Sequence, residues 1–559
     1  MQGSISQRLK TLLIQKTLRY KRNEDGTMVL FGVFMFLMML MIGGIAYDLL
    51  RNENVRSHLQ NVSDTAALAG ANLNNTQDPE VVVLDYFNKA GLAGYLKDVQ
   101  VTQKVNSRRV TVTADSTTKT TFMHLGGVEN LPVYALGTAQ QDAGDIEIAM
   151  ILDVSGSMVG QRETNMETAA RSFIDTVLPD TSIPVDERPS ISLIPYNDMV
   201  NIGQTYGPYF NMSTEHTYSW CARLDDALFD TVIWDDTLEV ERLGHYDSRN
   251  NTSYTPISNE ASTNSVETKC PTDLTNAFLL YETNPTKLKN HITALEADDR
   301  YGWTAIALGA KFGTITLDPS GRDITNELVL NGVLDARAAN LPKDYVQPSG
   351  VPNTKVMVLM TDGSNTLQRD LKQKHKSGNS NVYYAPIYKD YFRNGVSAAY
   401  SVYSPHRYNK GQKPWWFPYY GRWYWSNPFD NWSVPYSRLT NPELFNKQTM
   451  LHIGHRIFTR NVPEYTDYVY YSEGDPYANG YEDYIGSSDL NDQTEEICDT
   501  AKAAGMVIYA VAFEAPKRGK KLMSYCSTSP AHYFEVTGTQ VILAFEAIGR
   551  NINQLKLTQ

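Results

Sequence analysis

The stretch Asp145–Met158, DIEIAMILDVSGSM, runs apolar through Ile148–Leu152 and stops at Asp153-Val154-Ser155-Gly156-Ser157. A short apolar run that ends in a turn signal reads as a buried parallel strand. One carboxylate and two hydroxyls then share a tight loop at the strand's end, where open α/β sheets usually bind ligands. These are hard oxygen donors, suited to Mg²⁺, or to Mn²⁺ or Ca²⁺, and not to a soft metal. Gly156 frees the backbone so that both serines can face one point. Taken alone, the same residues also fit a strand–turn–helix in which Asp153 is a cap and no metal is involved.

Two distant pieces can complete the donor set. Gly302-Trp303-Thr304 opens an Ala/Leu-rich helical run to Phe312, which puts the Thr304 hydroxyl near a helix start. Lys355–Gly363, KVMVLMTDG, is a second buried-strand pattern and again ends in a carboxylate, Asp362. DxSxS, a distant Thr and a strand-end Asp, in that order, resemble the metal-ion-dependent adhesion site of the von Willebrand factor A (vWA) domain. The resemblance implies an α/β fold with a Rossmann-like, mostly parallel, doubly wound sheet. It also implies a cation held by Asp153, Ser155, Ser157, Thr304 and Asp362. In that family the hydroxyls ligate directly or nearly so, the aspartates often act through water, and an acidic side chain of a protein partner joins the shell.

Composition narrows the function. The 559-residue chain carries a formal charge of -12, which argues against nucleic-acid binding. No Walker A, G-x-S-x-G or HExxH motif is present, so no enzymatic activity is expected. His452-Ile453-Gly454-His455 lacks the Glu of HExxH, and Glu473, Asp475, Glu482 and Asp483 lack EF-hand spacing. Four cysteines, Cys221, Cys270, Cys498 and Cys526, fall in two local pairs. An even, sparse set fits disulfides in an oxidising compartment; reduced buried thiols are the alternative.

The elements that position these residues follow an anchor. Residues 1–25 hold Arg8, Lys10, Lys16, Arg19, Lys21 and Arg22 against Glu24 and Asp25. Thr27–Tyr47 has no charge. At ~1.5 Å per residue it spans the hydrocarbon of a bilayer, and it is longer than a signal-peptide core. The expected arrangement is one retained span with the N-terminus cytoplasmic, by the positive-inside rule; a cleaved signal is the alternative. Asp48–Asn74 continues with amphipathic helical spacing. The segment Gly26–Ala71 resembles TadG-like Flp (tight adherence) pilus-assembly proteins, in Asp48, Gln60 and Asp64-Thr65-Ala66-Ala67-Leu68-Ala69-Gly70-Ala71.

Four regions are therefore expected: 1–25 cytoplasmic, 26–74 the span and its amphipathic extension, 75–143 a small α+β module, and 144–559 a vWA domain. The module should hold a helix over Val81–Asn88 and strands over Val99–Val105, Arg109–Ala114, Thr120–Met123 and Val133–Ala139. Inside 144–559, residues 199–285 and 364–491 are too long for plain connections and read as insertions. A Cys221–Cys270 bond would close the first near its base. The second is dense in aromatics, most of all over Trp415–Pro435, WWFPYYGRWYWSNPFDNWSVP. Those rings either form the insertion's own core or make a recognition surface beside the metal.

The expected protein is a bacterial inner-membrane protein with its body periplasmic or extracellular. The resemblances imply a role in Flp/Tad pilus assembly or adhesion through metal-dependent protein binding. The alternative is a surface adhesin that binds host, matrix or glycan through the aromatic insertion.

Overall fold

The computed structural model describes residues 14, 25–72, 75, 77–103, 107–142, 144–179, 188–247, 268–297, 302–348, 350–389, 396–431, 433–459, 461–468 and 480–558. The basic segment expected over 1–25 and the acidic Glu473 and Asp475 lie outside them, apart from Ile14 and Asp25. The chain forms two compact units, Met1–Asp142 and Ala143–Gln559.

The first unit is built on helix α1, Asp25–Ala71. Its first half exposes an unbroken apolar surface from Met28 to Ile42. The helix is long and apolar enough to cross a membrane. Its second half buries Leu59, Ala66, Ala67 and Ala71 against a three-stranded antiparallel sheet. That sheet runs β1 (Leu96–Gln103), β2 (Ser107–Lys119), β3 (Asn130–Asp142). Helix α2, Pro79–Lys89, adds Val83 and Phe87 to the same core. Its N-cap is Asp78, whose side chain accepts from the Glu80 N–H. Small residues let α1 lie flat on the sheet: a Cβ on Gly137 would fall 2.5 Å from the Ser63 carbonyl oxygen. The Gln60 amide completes the edge of β3, donating to Leu136 O at 2.8 Å and accepting from Leu136 N at 3.3 Å.

The strand expected over Thr120–Met123 is instead a turn. β2 ends at Lys119, and the N–H groups of Thr121, Phe122 and Met123 donate to the Asp48 carboxylate at 2.9, 2.7 and 2.8 Å. Three backbone donors spent on one side chain cannot also join a ladder. The β-branched pattern there is thus overridden by a buried acid seventy residues away in the chain.

The second unit is organised by a six-stranded sheet. Its strands are β4 (Ile146–Asp153), β5 (Ser190–Tyr196), β6 (Leu279–Glu282), β7 (Thr354–Thr361), and, late in the chain, Val507–Phe513 and Tyr533–Val536. β4 is central. Its Met150 pairs in parallel with Leu193 of β5 on one side and Val358 of β7 on the other. Outside β7 lie Val507–Phe513 and then Tyr533–Val536, also parallel; β6 alone is antiparallel, on β5. Residues 199–285 therefore contain a sheet strand at their end and are not wholly an insertion.

Alternation along β4 feeds two cores. Ile148, Met150 and Leu152 meet Met166, Ala169 and Phe173 of helix α3 (Gln161–Val177), Leu288 and Ile292 of α4 (Pro285–Thr293), and the C-terminal helix Gln540–Thr558. Ala149 and Ile151 face α5 (Ile306–Ile315) and the helices Ser487–Ala503 and Lys517–Cys526. α5 comes unusually near: a Cβ on Gly309 would sit 2.7 Å from both Ile151 and the Tyr196 ring. Helices on both faces of a mostly parallel sheet make a doubly wound α/β layer.

The second insertion has its own architecture. Its entry and exit pair as β8 (Gln368–Leu371) and β14 (Glu482–Ile485), antiparallel. Between them lies a five-stranded antiparallel sheet of β9 (Asn379–Lys389), β10 (Val396–Tyr403), β11 (Trp415–Phe417), β12 (Arg422–Tyr424) and β13 (Ser437–Thr440), in the order β12-β11-β10-β9-β13. Trp416, Phe417 and Phe429 are core residues, whereas Tyr408 and Trp425 are 63% and 66% exposed. The aromatic residues of the insertion are thus partly its own core and partly exposed. Glu482 is buried at the stem, where it accepts from the Tyr246 hydroxyl.

Cys221 and Cys270 are bonded, as are Cys498 and Cys526. The second bond joins two helices, because Cys526 closes Lys517–Cys526 and does not lie in the loop beyond it.

Candidate metal centre

β4 and β7 are adjacent and parallel, so both their carboxyl ends deliver an aspartate to the same edge. Asp153 is fully buried. Its Oδ1 accepts from the Ser155 N–H at 2.8 Å, and its Oδ2 accepts from the Thr361 hydroxyl at 2.6 Å. The carboxylate thus closes a turn on its own loop; the N-cap of α3 is Gly160. Ser155 Oγ and Ser157 Oγ lie 3.2 Å apart, and Ser157 Oγ donates to Asp362 Oδ1 at 2.6 Å.

Thr304 arrives from the third piece. It lies just ahead of the α5 N-cap, Ala305, and not in the first turn. Its N–H donates to the Thr366 hydroxyl at 2.8 Å, and its carbonyl accepts from Thr366 N at 3.0 Å. The loop after Ser155 is tied to it as well, through Gly156 N to Gly302 O at 3.0 Å. The point where a Cβ on Gly363 would lie is 3.3 Å from Thr304 Oγ1 and 3.8 Å from Ser157 Oγ. A side chain at 363 would therefore crowd the Thr304 hydroxyl and only touch that of Ser157. From behind, a Cβ on Gly519 would meet the Gly363 carbonyl oxygen at 2.0 Å, so helix Lys517–Cys526 backs directly onto the site. The structure thus brings Asp153, Ser155, Ser157, Thr304 and Asp362 into one cluster from three parts of the chain.

Electrostatics set the character of that cluster. Burial, and then the negative charge of Asp362, push the Asp153 carboxyl up to about 7. Burial raises Asp362 too, against the opposing hydrogen bond from Ser157 and the charge of Arg162. Two desolvated carboxylates flanked by three hydroxyls form a donor set that fits a small hard cation. Among the described residues no three of His, Cys, Asp and Glu form a metal-holding group. A cation here would therefore depend on the hydroxyl oxygens.

Several residues of the site were not singled out from sequence. Thr361, inside KVMVLMTDG, holds Asp153. Asn365 donates to Leu490 O at 2.9 Å and accepts from Ile306 N at 2.8 Å, which joins the site strand to two helices. Arg162 donates to Asp362 Oδ2 at 2.9 Å, to Ser157 O at 3.0 Å and to Glu514 Oε2 at 2.8 Å. Its signal was position: a cation in the first turn of a helix opposes the helix dipole and needs a compensating partner. Glu514 has φ +54°, and its other oxygen accepts from Gly538 N at 2.9 Å. A left-handed, non-glycine residue at a strand end is held there by its contacts.

Residues 26–73, essentially helix α1, match the TadE/G-like Flp pilus-assembly family. No curated protein matches the chain. Among solved structures the chain is similar to the pilus adhesin SpaC from Lactobacillus rhamnosus GG, at 12% identity and TM-score 0.29, over 83% of this chain and 34% of that one. It is similar to the pilus adhesin RrgA from Streptococcus pneumoniae, at 11% identity and TM-score 0.29, over 82% of this chain and 50% of that one. It is also similar to the vWF domain of the type V pili tip protein Mfa5 from Porphyromonas gingivalis, at 14% identity and TM-score 0.28, over 74% of this chain and 96% of that one. The chain thus spans about a third of SpaC. At these TM-scores the likenesses add nothing to the strand order and site geometry given above.

Proposed function

We propose that this protein is a membrane-anchored, exported, non-enzymatic vWA protein of the Flp/Tad pilus system, acting in assembly or adhesion by metal-dependent capture of a protein partner. The observation that carries the proposal is the meeting of Asp153, Ser155, Ser157, Thr304 and Asp362 at adjacent strand ends. These residues would hold Mg²⁺, or Mn²⁺ or Ca²⁺, and a bound cation would offer a position to a partner's Asp or Glu. The family match over α1 supports the pilus system. The apolar helix supports one span, and two disulfides suit a body on the oxidising side of a bacterial inner membrane. The test is crosslinked pull-down from membranes with and without EDTA, for wild type and Asp153→Ala. Capture should vanish in both treatments with the domain still folded; capture that persists in both removes the metal from the mechanism.

Exposed Tyr408 and Trp425 favour a second reading, an adhesin that binds host, matrix or glycan through the aromatic insertion. Binding that is lost on Trp425→Ala and indifferent to chelation would select it.

A further inference from the structure

We infer that the turn between β2 and β3 is an interfacial membrane anchor, seated in the headgroup–acyl boundary beside the base of the span. The inference rests on reading α1 as that span.

Gly44 lies three residues inside the uncharged run Thr27–Tyr47, about 4–5 Å along the helix axis. The Phe122 ring lies directly on it: a Cβ on Gly44 would fall 2.3 Å from Phe122 Cγ. Phe122 also meets Tyr47 edge-on, with ring centroids 6.2 Å apart. Asp48 then holds the turn by the three N–H bonds described above. The tip is therefore fixed at the level of the last turn of the span. If that turn is in the bilayer, so is the tip.

Its composition fits this place. Phe122–Val128, FMHLGGV, contains no Asp, Glu, Lys or Arg, and charges resume only at Lys119 and Glu129 on either side. Leu125 is 75% exposed and Val128 38%. In water such a turn would leave apolar side chains unpartnered at a hairpin tip. In the boundary they bury into acyl chains, as interfacial segments do. Asp48 also makes sense here. A carboxylate at the edge of the hydrocarbon is costly when bare, and three backbone donors replace its lost water. One arrangement thus satisfies the acid and lays the apolar tip on the lipid.

The test uses the full chain reconstituted into phosphatidylethanolamine/phosphatidylglycerol vesicles. The four native cysteines are all bonded, so a single introduced cysteine can carry an NBD label. Three variants are compared: Leu125→Cys, Phe36→Cys in mid-span, and Leu136→Cys. Leu136 is tied to Gln60, about 24 Å further along α1 than Gly44. The label at 125 should be blue-shifted relative to 136 and quenched more by headgroup-proximal nitroxide lipid than by chain-end nitroxide. The label at 36 should be quenched most by the chain-end probe, and the label at 136 by neither. A label at 125 that behaves like 136 while 36 is quenched overturns the inference and leaves the span intact. A blue shift at 125 without lipid quenching overturns it in favour of a protein partner. No quenching at 36 overturns the span reading and the inference with it.

Discussion

Acid should loosen the joint between the two insertions, and two buried histidines set by how much. His245 Nε2 donates to Asn446 Oδ1 at 3.1 Å and the Nδ1 of the neutral ring accepts from Ser219 Oγ at 3.2 Å, and so His245 links residues 199–285 to residues 364–491. His216 lies beside it, with ring centroids 5.7 Å apart and planes tilted by 51°, and contacts Leu243 O at 3.0 Å. Burial, and then the nearby His216, push the His245 pKa down to about 3. Burial likewise lowers His216 to about 4, with Arg242 and Lys376 adding to the effect. Both rings are therefore neutral in the folded protein at pH 5, whereas in the unfolded chain they are protonated below ~6.5. The unfolded state binds more protons in this window, so stability falls as pH drops from ~6.5 toward the folded values. Each histidine costs about 2 kcal/mol at pH 5 relative to pH 7.5. Asp153 and Asp362 shift the other way, so the wild-type pH profile mixes signs; a variant isolates the term. Urea unfolding of wild type and His245→Gln at pH 7.5 and 5.0 provides the assay. The variant should be less stable at pH 7.5 but lose about 2 kcal/mol less on acidification. Equal losses in the two proteins would refute the assignment of His245 as a buried neutral ring.

Four further outcomes follow from the same geometry. Asp370 is buried, accepts from Gly244 N at 2.7 Å and pairs with Lys376 at 2.6 Å, so Asp370→Ala should cost about 3–5 kcal/mol and speed proteolysis within 364–491. Asp48→Ala frees three N–H groups; amide exchange at Thr121–Met123 should accelerate by about tenfold or more, and an unchanged rate would deny the cap. Removing the Cys221–Cys270 bond, with 49 residues of sequence separation, should lower stability by about 4 kcal/mol on the chain-entropy estimate, read by denaturation of the oxidised Cys221→Ala/Cys270→Ala variant against wild type. Gly519→Ala should displace the Gly363 carbonyl and weaken Mn²⁺ binding; unaltered affinity would mean that the site tolerates movement of its β7 end.

Much of the central layer was legible because buried parallel strands announce themselves as apolar runs. β4 and β7 read directly as strands with aspartates at or just beyond their ends. Local pattern failed where distant groups decide. Thr120–Met123 looks β-prone, but its donors belong to Asp48. Leu279–Glu282 is short and carries Tyr281 at φ +50°, so nothing in its pattern marks an edge strand. The five-stranded sheet of the second insertion is built from strands as short as Trp415–Phe417, and consecutive aromatic residues there leave no alternation to read. At the site, the ligand-type residues could be read from spacing on loops. Arg162 offered only its place in the first turn of a helix, and Glu514 nothing, because the fold brings Glu514, at the end of the strand Val507–Phe513, to Arg162 and Arg162 to Asp362.

The most direct measurement is Mn²⁺ binding to the full-length oxidised protein, followed by electron paramagnetic resonance, in wild type, Asp153→Ala and Ser157→Ala. The account predicts one saturable site in the wild type that Mg²⁺ displaces, and at least tenfold weaker binding in each variant with the circular dichroism of the folded protein retained. A wild type that binds no Mn²⁺, or variants that bind it equally well, would contradict the claim that these strand ends hold a cation.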